Sequence, residues 1–205
     1  MRFIPERHTA PYLSSEVTKI VQEWKLEKKV INATIDGASN INLAMQITTF
    51  LDKLRCITHT MNTVTKAILD KNRSIPVLDI VKKCRNLVCT FKHSNFLTDQ
   101  LKKAMEMKRN AAQELLLNKQ NDDIDLPPVR TLKQDVPTRW NSTYLMLKSV
   151  FEAHDSITTV INSNAETKKK YANMLLVDSK LEIVEDLVFL LLPFFQFTEL
   201  MSGSK

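Results

Sequence analysis

Asp36, Cys56, His59, Arg139 and Trp140 are the residues whose types and spacing could do chemistry. Asp36 closes the β-branched run Val30 to Ile35 and is followed by Gly37 and by the helix-opening residues Ala38-Ser39-Asn40. Strand, acid, glycine, helix is the start of an α/β unit, and ligands and metals gather at the carboxyl ends of strands in such units. A carboxylate there can hold a hard cation such as Mg²⁺. One carboxylate is an incomplete cation site, however, and an Asp before a glycine also serves as a plain turn or cap acceptor. Asp52, Asp70 and Asp79 fall on expected helices or their ends, and no spacing brings them beside Asp36.

Cys56-Ile57-Thr58-His59 has Cys-x-x-His spacing. Zinc would need two further ligands, and no second pair follows at finger-like spacing, so no zinc site is expected. A nucleophilic Cys–His pair would need an orienting third group and an oxyanion pocket, and neither is in view. A structural role, with the imidazole hydrogen-bonded inside, is the expectation for Cys56 and His59. Cys84 falls on an apolar stripe and reads as core.

The third candidate is the stretch from Gln134 to Tyr144, which contains Pro137-Thr138-Arg139-Trp140-Asn141-Ser142. Pro137 drives Val136 into an extended conformation. Asn141 or Ser142 is expected to cap a new helix with its side-chain oxygen. The segment is then an extended arm that delivers Arg139 and Trp140 to a helix N-terminus. A cation, a flat aromatic and free amide donors together suit gripping a phosphate and stacking on a base. On residue types alone the packing alternative comes first: Trp140 filling a core gap and Arg139 pairing with a carboxylate.

These residues must be positioned by elements, and most of those are helical. A helix is expected from Ser14 or Ser15, with Glu16 in its first turn and Val17, Ile20, Val21 and Trp24 on one face. After the strand ending at Ile35, a helix from Ala38 carries Ile41, Ala44, Met45, Thr48 and Leu51 along one side. Leu54 to Ile57 is a short second strand, and a helix from Thr60 turns Met61, Val64 and Ile68 inward. Asn72-Arg73-Ser74 breaks it. The clearest 3.6-residue period follows Pro76: Val77, Ile80, Val81, Cys84, Leu87, Val88 and Phe91. Residues 94–118 form a further helix, capped near Ser94 or Asn95. Residues 118–128 form a polar, acidic loop ended by two prolines. Residues 129–136 are extended, and the helix after Trp140 buries Leu147, Val150, Phe151, His154, Ile157 and Ile161. Lys168-Lys169-Lys170 reads as a solvated basic face. The last helix, from about Ser179, is apolar nearly all round between Leu187 and Phe197 and requires a cover. There is no internal repeat and no low-complexity tract.

The bulk numbers set outer bounds. The chain has 205 residues, 43% hydrophobic and 25% charged, the balance of a globular protein of one or two domains. Only two residues are glycine, which favours helices over loops with positive φ. The net charge of +6 permits a polyanionic partner without requiring one. Three cysteines without framework spacing point to reduced thiols in an intracellular compartment. Met1 to Thr9 does not read as a signal peptide. The longest apolar run, Leu187 to Phe195, is far short of the ~20 residues that span a bilayer, so a soluble protein with no membrane partner is expected.

Several segments stand in a telling order. His8-Thr9-Ala10 precedes the helix ending Glu23-Trp24. Then come Thr34-Ile35-Asp36-Gly37-Ala38-Ser39-Asn40, Arg55-Cys56-Ile57-Thr58-His59-Thr60-Met61-Asn62, Pro137 to Thr143, and Thr198-Glu199-Leu200-Met201-Ser202-Gly203. The ordered set, spread over almost the whole chain, resembles the hAT superfamily of DNA transposases and their domesticated relatives among the BED zinc-finger proteins. In that family three of the blocks read Thr-Asp-Asn-Ala-Ala-Asn, Arg-Cys-x-x-His-x-Leu-Asn and Thr-x-x-Leu-Ser-Gly.

The resemblance implies a ribonuclease H-like core interrupted by a large helical insertion, with three acids holding two metal ions for strand cleavage and transfer. Asp36 matches the second acid. The first would precede His8 and the third would lie beyond Lys205. Gly37 stands where the family has Asn, a departure that marks decay of the site. Trp140 matches a tryptophan implicated in holding flipped or unpaired bases, which with Arg139 makes the DNA-binding assignment. Cys56 and His59 match a pair close to the active site that is not a zinc finger. The fold expected is therefore mainly α with a small α/β part: a partial ribonuclease H-like core of one or two strands over residues 1–71, then a helical insertion bundle over residues 72–205. The function implied is that of a transposase-derived, DNA-associated nuclear protein. As it stands this chain is not an enzyme, with Asp36 a vestigial metal-binding acid that does not hold Mg²⁺ tightly. DNA is the partner implied, and homo-oligomers would form through regions outside this sequence, which also lacks a BED finger. Two alternatives remain: a protein-interaction module using the apolar face near Phe189 to Phe197, and a non-functional transposon-derived gene fragment.

Overall fold

Among the described residues of the computed structural model (6–68, 75–117, 129–136 and 139–201), the chain forms eight α-helices and one two-stranded sheet. This is the mainly α architecture with a small α/β part that the sequence predicts. The expected break at Asn72-Arg73-Ser74, the loop 118–128, Asp70, Pro137-Thr138 and Ser202-Gly203 lie outside the described residues. Two compact units result. One covers Met1–Val64 with Thr198–Lys205 and the other Thr65–Phe197, against an expected division at residue 71, which also lies outside the described residues.

The first unit contains α1 (Ala10–Glu23), β1 (Asn32–Ile35), α2 (Ser39–Ile47), β2 (Asp52–Arg55) and α3, which starts at Ile57 and runs on to Ile68 across the division. The strands are parallel, with Asn32 opposite Asp52 and Ile35 opposite Arg55. Parallel neighbours need a crossover, and α2 supplies it. Its small core is Ala10, Ile35, Ala44 and Met45, and a buried 2.7 Å hydrogen bond between the Ser14 and Thr48 hydroxyls ties α1 to the end of α2.

Several expectations for this unit are corrected. Helix α1 begins at Ala10, not at Ser14, because Pro11 lies in its first turn, where a fixed φ and a missing N–H cost nothing. Glu16 is accordingly beyond the first turn, and Trp24, expected inward, sits past the last turn and is 70% exposed. Strand β2 starts two residues earlier than expected, since Cys56 already leads into α3. Val64 is exposed rather than turned inward.

The second unit packs α4 (Ile75–Lys92), α5 (Asn95–Leu117), α6 (Trp140–Asn162), α7 (Ala165–Tyr171), a 3-10 turn at Ala172–Met174 and α8 (Asp178–Met201) up to Phe197. The α4 stripe is as the sequence predicts: Ile80, Val81, Cys84, Leu87, Val88 and Phe91 are all buried. They meet Tyr144, Leu147, Val150, Ile157 and Ile161 of α6 and Val184, Leu187 and Leu191 of α8 in one core cluster. Ser94 caps α5 by accepting the Leu97 N–H at 3.3 Å. Tyr144 and Phe195 stack at a 4.6 Å centroid distance. Helix α8 is not covered all round: Phe189 is 79% exposed, because one face alone meets the core. Among the described residues, no helix is long and apolar enough to cross a membrane.

Candidate functional site

Residue 36 follows β1 directly and residue 56 follows β2 directly, and the two strands are paired. The parallel register therefore sets Asp36 and Cys56 side by side at the carboxyl ends, and the Cys56 N–H donates to the Ile35 carbonyl at 2.8 Å. One turn into α3 comes His59, and the three side chains line a cleft of about 240 Å³ with Arg55, Asn42 and Thr63. The residues alone gave Asp36 as one candidate and Cys56 with His59 as another, and the sheet brings the two together.

Asp36 is exposed, and its Oδ1 accepts the Ala38 N–H at 3.0 Å, the turn-acceptor arrangement that opens α2. Gly37 has φ +90°, a conformation that costs an L side chain dearly, although a Cβ there would have room, meeting only the His59 ring at 4.0 Å. The Cys56 thiol is held below its ordinary value of 9.0, chiefly by the His59 N–H at the start of α3 and then by the Thr58 hydroxyl, while the Asp36 charge opposes. His59 was expected inside; it is exposed, and its imidazole makes no hydrogen bond among the described residues. It lies in the first turn of α3. Among the described residues, no three His, Cys, Asp or Glu side chains approach closely enough to share a metal ion. One carboxylate with a bonded oxygen, a thiol, an imidazole and the cation of Arg55 are not a donor set for two hard cations.

In the second unit Arg139 and Trp140 stand at the start of α6, as the residues predict. Arg139 is the residue before the helix, extended at φ −125° and exposed, and its N–H donates to the Val136 carbonyl at 2.8 Å. The cap is not the one expected. The N-cap residue is Arg139, whose side chain makes no capping bond, and α6 already begins at Trp140. Ser142, in the third helical position, reaches back instead: its Oγ accepts the Val136 N–H at 2.7 Å and donates to the Arg139 carbonyl at 2.6 Å. Trp140 is 4% exposed and belongs to the core cluster, so its indole packs and presents no open stacking face.

Two features of this unit escaped sequence reasoning. The first is the pairing of Asp135 with Arg85 rather than with Arg139. The carboxylate, 1% exposed, receives Arg85 Nε at 2.9 Å and Nη2 at 2.6 Å, and this contact holds the guanidinium above its ordinary value. The second is the set of cations along the arm, Arg130 and Lys133, which border two clefts.

Residues 54–187 match the ZBED1 RNase-like helical domain. The chain is 26% identical to a Zea mays protein carrying the name AC transposase, over 97% of this chain and 23% of that protein. It is 22% identical to the rice zinc finger BED domain-containing protein RICESLEEPER 2, over 77% of this chain and 21% of that protein. A further match, 22% identical over 97% of this chain and 25% of the relative, is to a protein of Talaromyces stipitatus named as the transcriptional regulator tpeD. The chain thus spans about a quarter or less of the length of these relatives. No solved structure matches. With the match covering well over half of the sequence and transposases and BED-finger proteins among its relatives, this chain belongs to the family of the ZBED1 RNase-like helical domain and is a hAT-type, transposase-derived protein.

Proposed function

We propose that this chain is a DNA-associated nuclear protein of transposase descent that does not cut DNA by itself. The observation that carries the proposal is the cleft at the ends of β1 and β2: it stands at the position where α/β units hold ligands, and among the described residues Asp36 is the one carboxylate that lines it. A two-metal displacement needs carboxylates around both ions. Asp36 alone, with one oxygen committed to Ala38, binds Mg²⁺ weakly and turns nothing over. Arg139, exposed beside the first amides of α6, takes a phosphate, and Trp140 fixes the start of that helix from within the core so that Arg139 is held in place. Transposases and BED-finger proteins among the relatives support both DNA as partner and the nucleus as location.

The test is incubation of the purified chain with supercoiled and hairpin DNA in Mg²⁺ or Mn²⁺. No nicking or strand transfer is expected. Robust turnover that Asp36→Ala removes would overturn the inactive reading. Binding of labelled DNA that weakens with salt is expected from the same preparation, and its absence would remove DNA association.

A second reading, a protein-docking module, is favoured by the apolar face that α8 leaves open at Phe189. Phe189→Asp separates the two: it leaves DNA binding unchanged and abolishes capture of a protein partner if docking is the function.

A further inference from the structure

Between Val129 and Asp135 the arm turns every third side chain inward: Val129 is half-buried, and Leu132 and Asp135 are buried. A repeat of three is the period of polyproline II rather than of a β-strand, and no ladder forms there. The positions between, Arg130, Thr131, Lys133 and Gln134, are exposed. The Lys133 N–H donates to Ser149 Oγ at 3.0 Å, which fastens the backbone to α6 and leaves the cationic side chain at the surface.

Two clefts flank the arm and share Arg130 and Thr131. One, of about 230 Å³, lies between the arm, α5 and α6, with Met105 and Leu145 in its wall. The other, of about 260 Å³, lies between the arm, the end of α4 and the start of α5, with Phe91, Leu101 and Leu132 in its wall. Among the described residues, Lys92, Lys102, Lys108, Arg130, Lys133 and Lys148 border the pair, against a single bordering carboxylate, Glu152. Lys108 is spent on Asp155 at 2.5 Å, and Lys148 approaches Glu152 at 3.8 Å. Among the described residues, Lys92, Lys102, Arg130 and Lys133 have no ionic partner.

Unpaired cations gathered around apolar clefts repel one another until a polyanion arrives. A duplex would meet the cations with its phosphates and leave the clefts empty, because its bases stay stacked inside. A single strand meets both, with phosphates on the cations and unstacked bases in the clefts. We propose that the arm is a binding site for single-stranded DNA, with Arg130 and Lys133 on successive phosphates and a base seated between the arm and α6. The site rests on the reading of DNA association above and shares no lining residue with the Asp36 cleft.

The test uses the full 205-residue chain and the fluorescence anisotropy of a labelled oligothymidylate over a range of salt concentrations. The double variant R130Q/K133Q is compared with K168Q/K169Q, which removes the same charge from α7. Circular-dichroism melts matching the wild type show that both variants fold. R130Q/K133Q is expected to weaken binding about tenfold at low salt and to flatten the slope of log K against log salt by about 1.4, two phosphate contacts at roughly 0.7 each. K168Q/K169Q keeps the wild-type slope, and a duplex of the same sequence binds the wild type at least tenfold more weakly. If R130Q/K133Q binds like the wild type, the arm is not the site although DNA association stands. Equal affinity for duplex overturns the single-strand assignment. If the wild type binds no DNA at all, the broader reading falls, and this proposal with it.

Discussion

The two units each offer a tryptophan, a cysteine and an aspartate, and treat them in opposite ways. In the second unit Trp140 and Cys84 are in the core and Asp135 is buried against Arg85. In the first, Trp24 is 70% exposed, Cys56 is half-exposed at the lip of a cleft, and Asp36 is exposed and bonded only to a turn amide. Residue type does not explain the contrast. The amount of apolar surface at hand does: 22 buried residues form the core cluster of the second unit and four that of the first, among the described residues. The larger core encloses Trp140, Cys84 and Asp135 and makes them structural, while the smaller one leaves Trp24, Cys56 and Asp36 at the surface.

The largest test of that contrast is Trp140→Ala against Trp24→Ala. Removing the buried indole is expected to cost about 3–5 kcal/mol in chemical denaturation. Removing the exposed one should stay within about 0.5 kcal/mol. A Trp140→Ala chain as stable as the wild type would mean that the indole is held for a ligand and not for the core.

Next in size is the buried carboxylate. Arg85→Ala leaves Asp135 charged, buried and without its main partner, at a cost of about 3 kcal/mol. The hydrophobic pair Arg85→Met with Asp135→Leu should recover most of that loss, since a buried ion pair stabilises little relative to packed apolar groups. Asp36→Asn, by contrast, keeps an oxygen for the Ala38 N–H and should change the midpoint of denaturation by less than about 0.5 kcal/mol. Between these lies Gly37→Ala, expected to cost the first unit about 1–2 kcal/mol through φ +90° alone, because a Cβ has space there. A neutral Gly37→Ala would show that the turn after β1 relaxes freely and that the cleft is not a fixed structure.

Periodicity and capping made much of the second unit readable in advance. The α4 stripe and the Ser94 cap are local patterns, and local patterns survive folding. Asp36 was readable as a strand-end residue; Cys56 was placed inside the second strand, and only the register that ends β2 at Arg55 sets it beside Asp36. Two kinds of information were not in the spacing. Asp135 meets Arg85 across 50 positions, a contact that only the packed helices define. The start of α1 was obscured by Pro11, which reads as a breaker in isolation and as a first-turn residue in context. Trp140 carried two readings, platform and plug, and its burial depends on the size of the core beneath it, a quantity no eleven-residue stretch contains.

The cysteines give the finest comparison, because the same group is pushed in opposite directions. Burial drives the Cys84 thiol up to about 12, while the amide and hydroxyl donors at the start of α3 pull the Cys56 thiol down. Above 9.0 an unfolded chain ionises Cys84 and the folded one does not, so the unfolded state gains. Stability should therefore hold below 9.0 and fall by up to about 1.4 kcal/mol per pH unit between 9.0 and about 12. Cys84→Ala removes that slope, and the difference between the two chains cancels the titration of the lysines. Alkylation of the native protein reads the other side: Cys56 reacts first and at lower pH than a free thiol, and Cys84 reacts only after denaturant is added. Equal modification of both in the folded chain would mean that the core of the second unit opens as readily as the surface of the first, and the contrast between the units would then be one of composition rather than of packing.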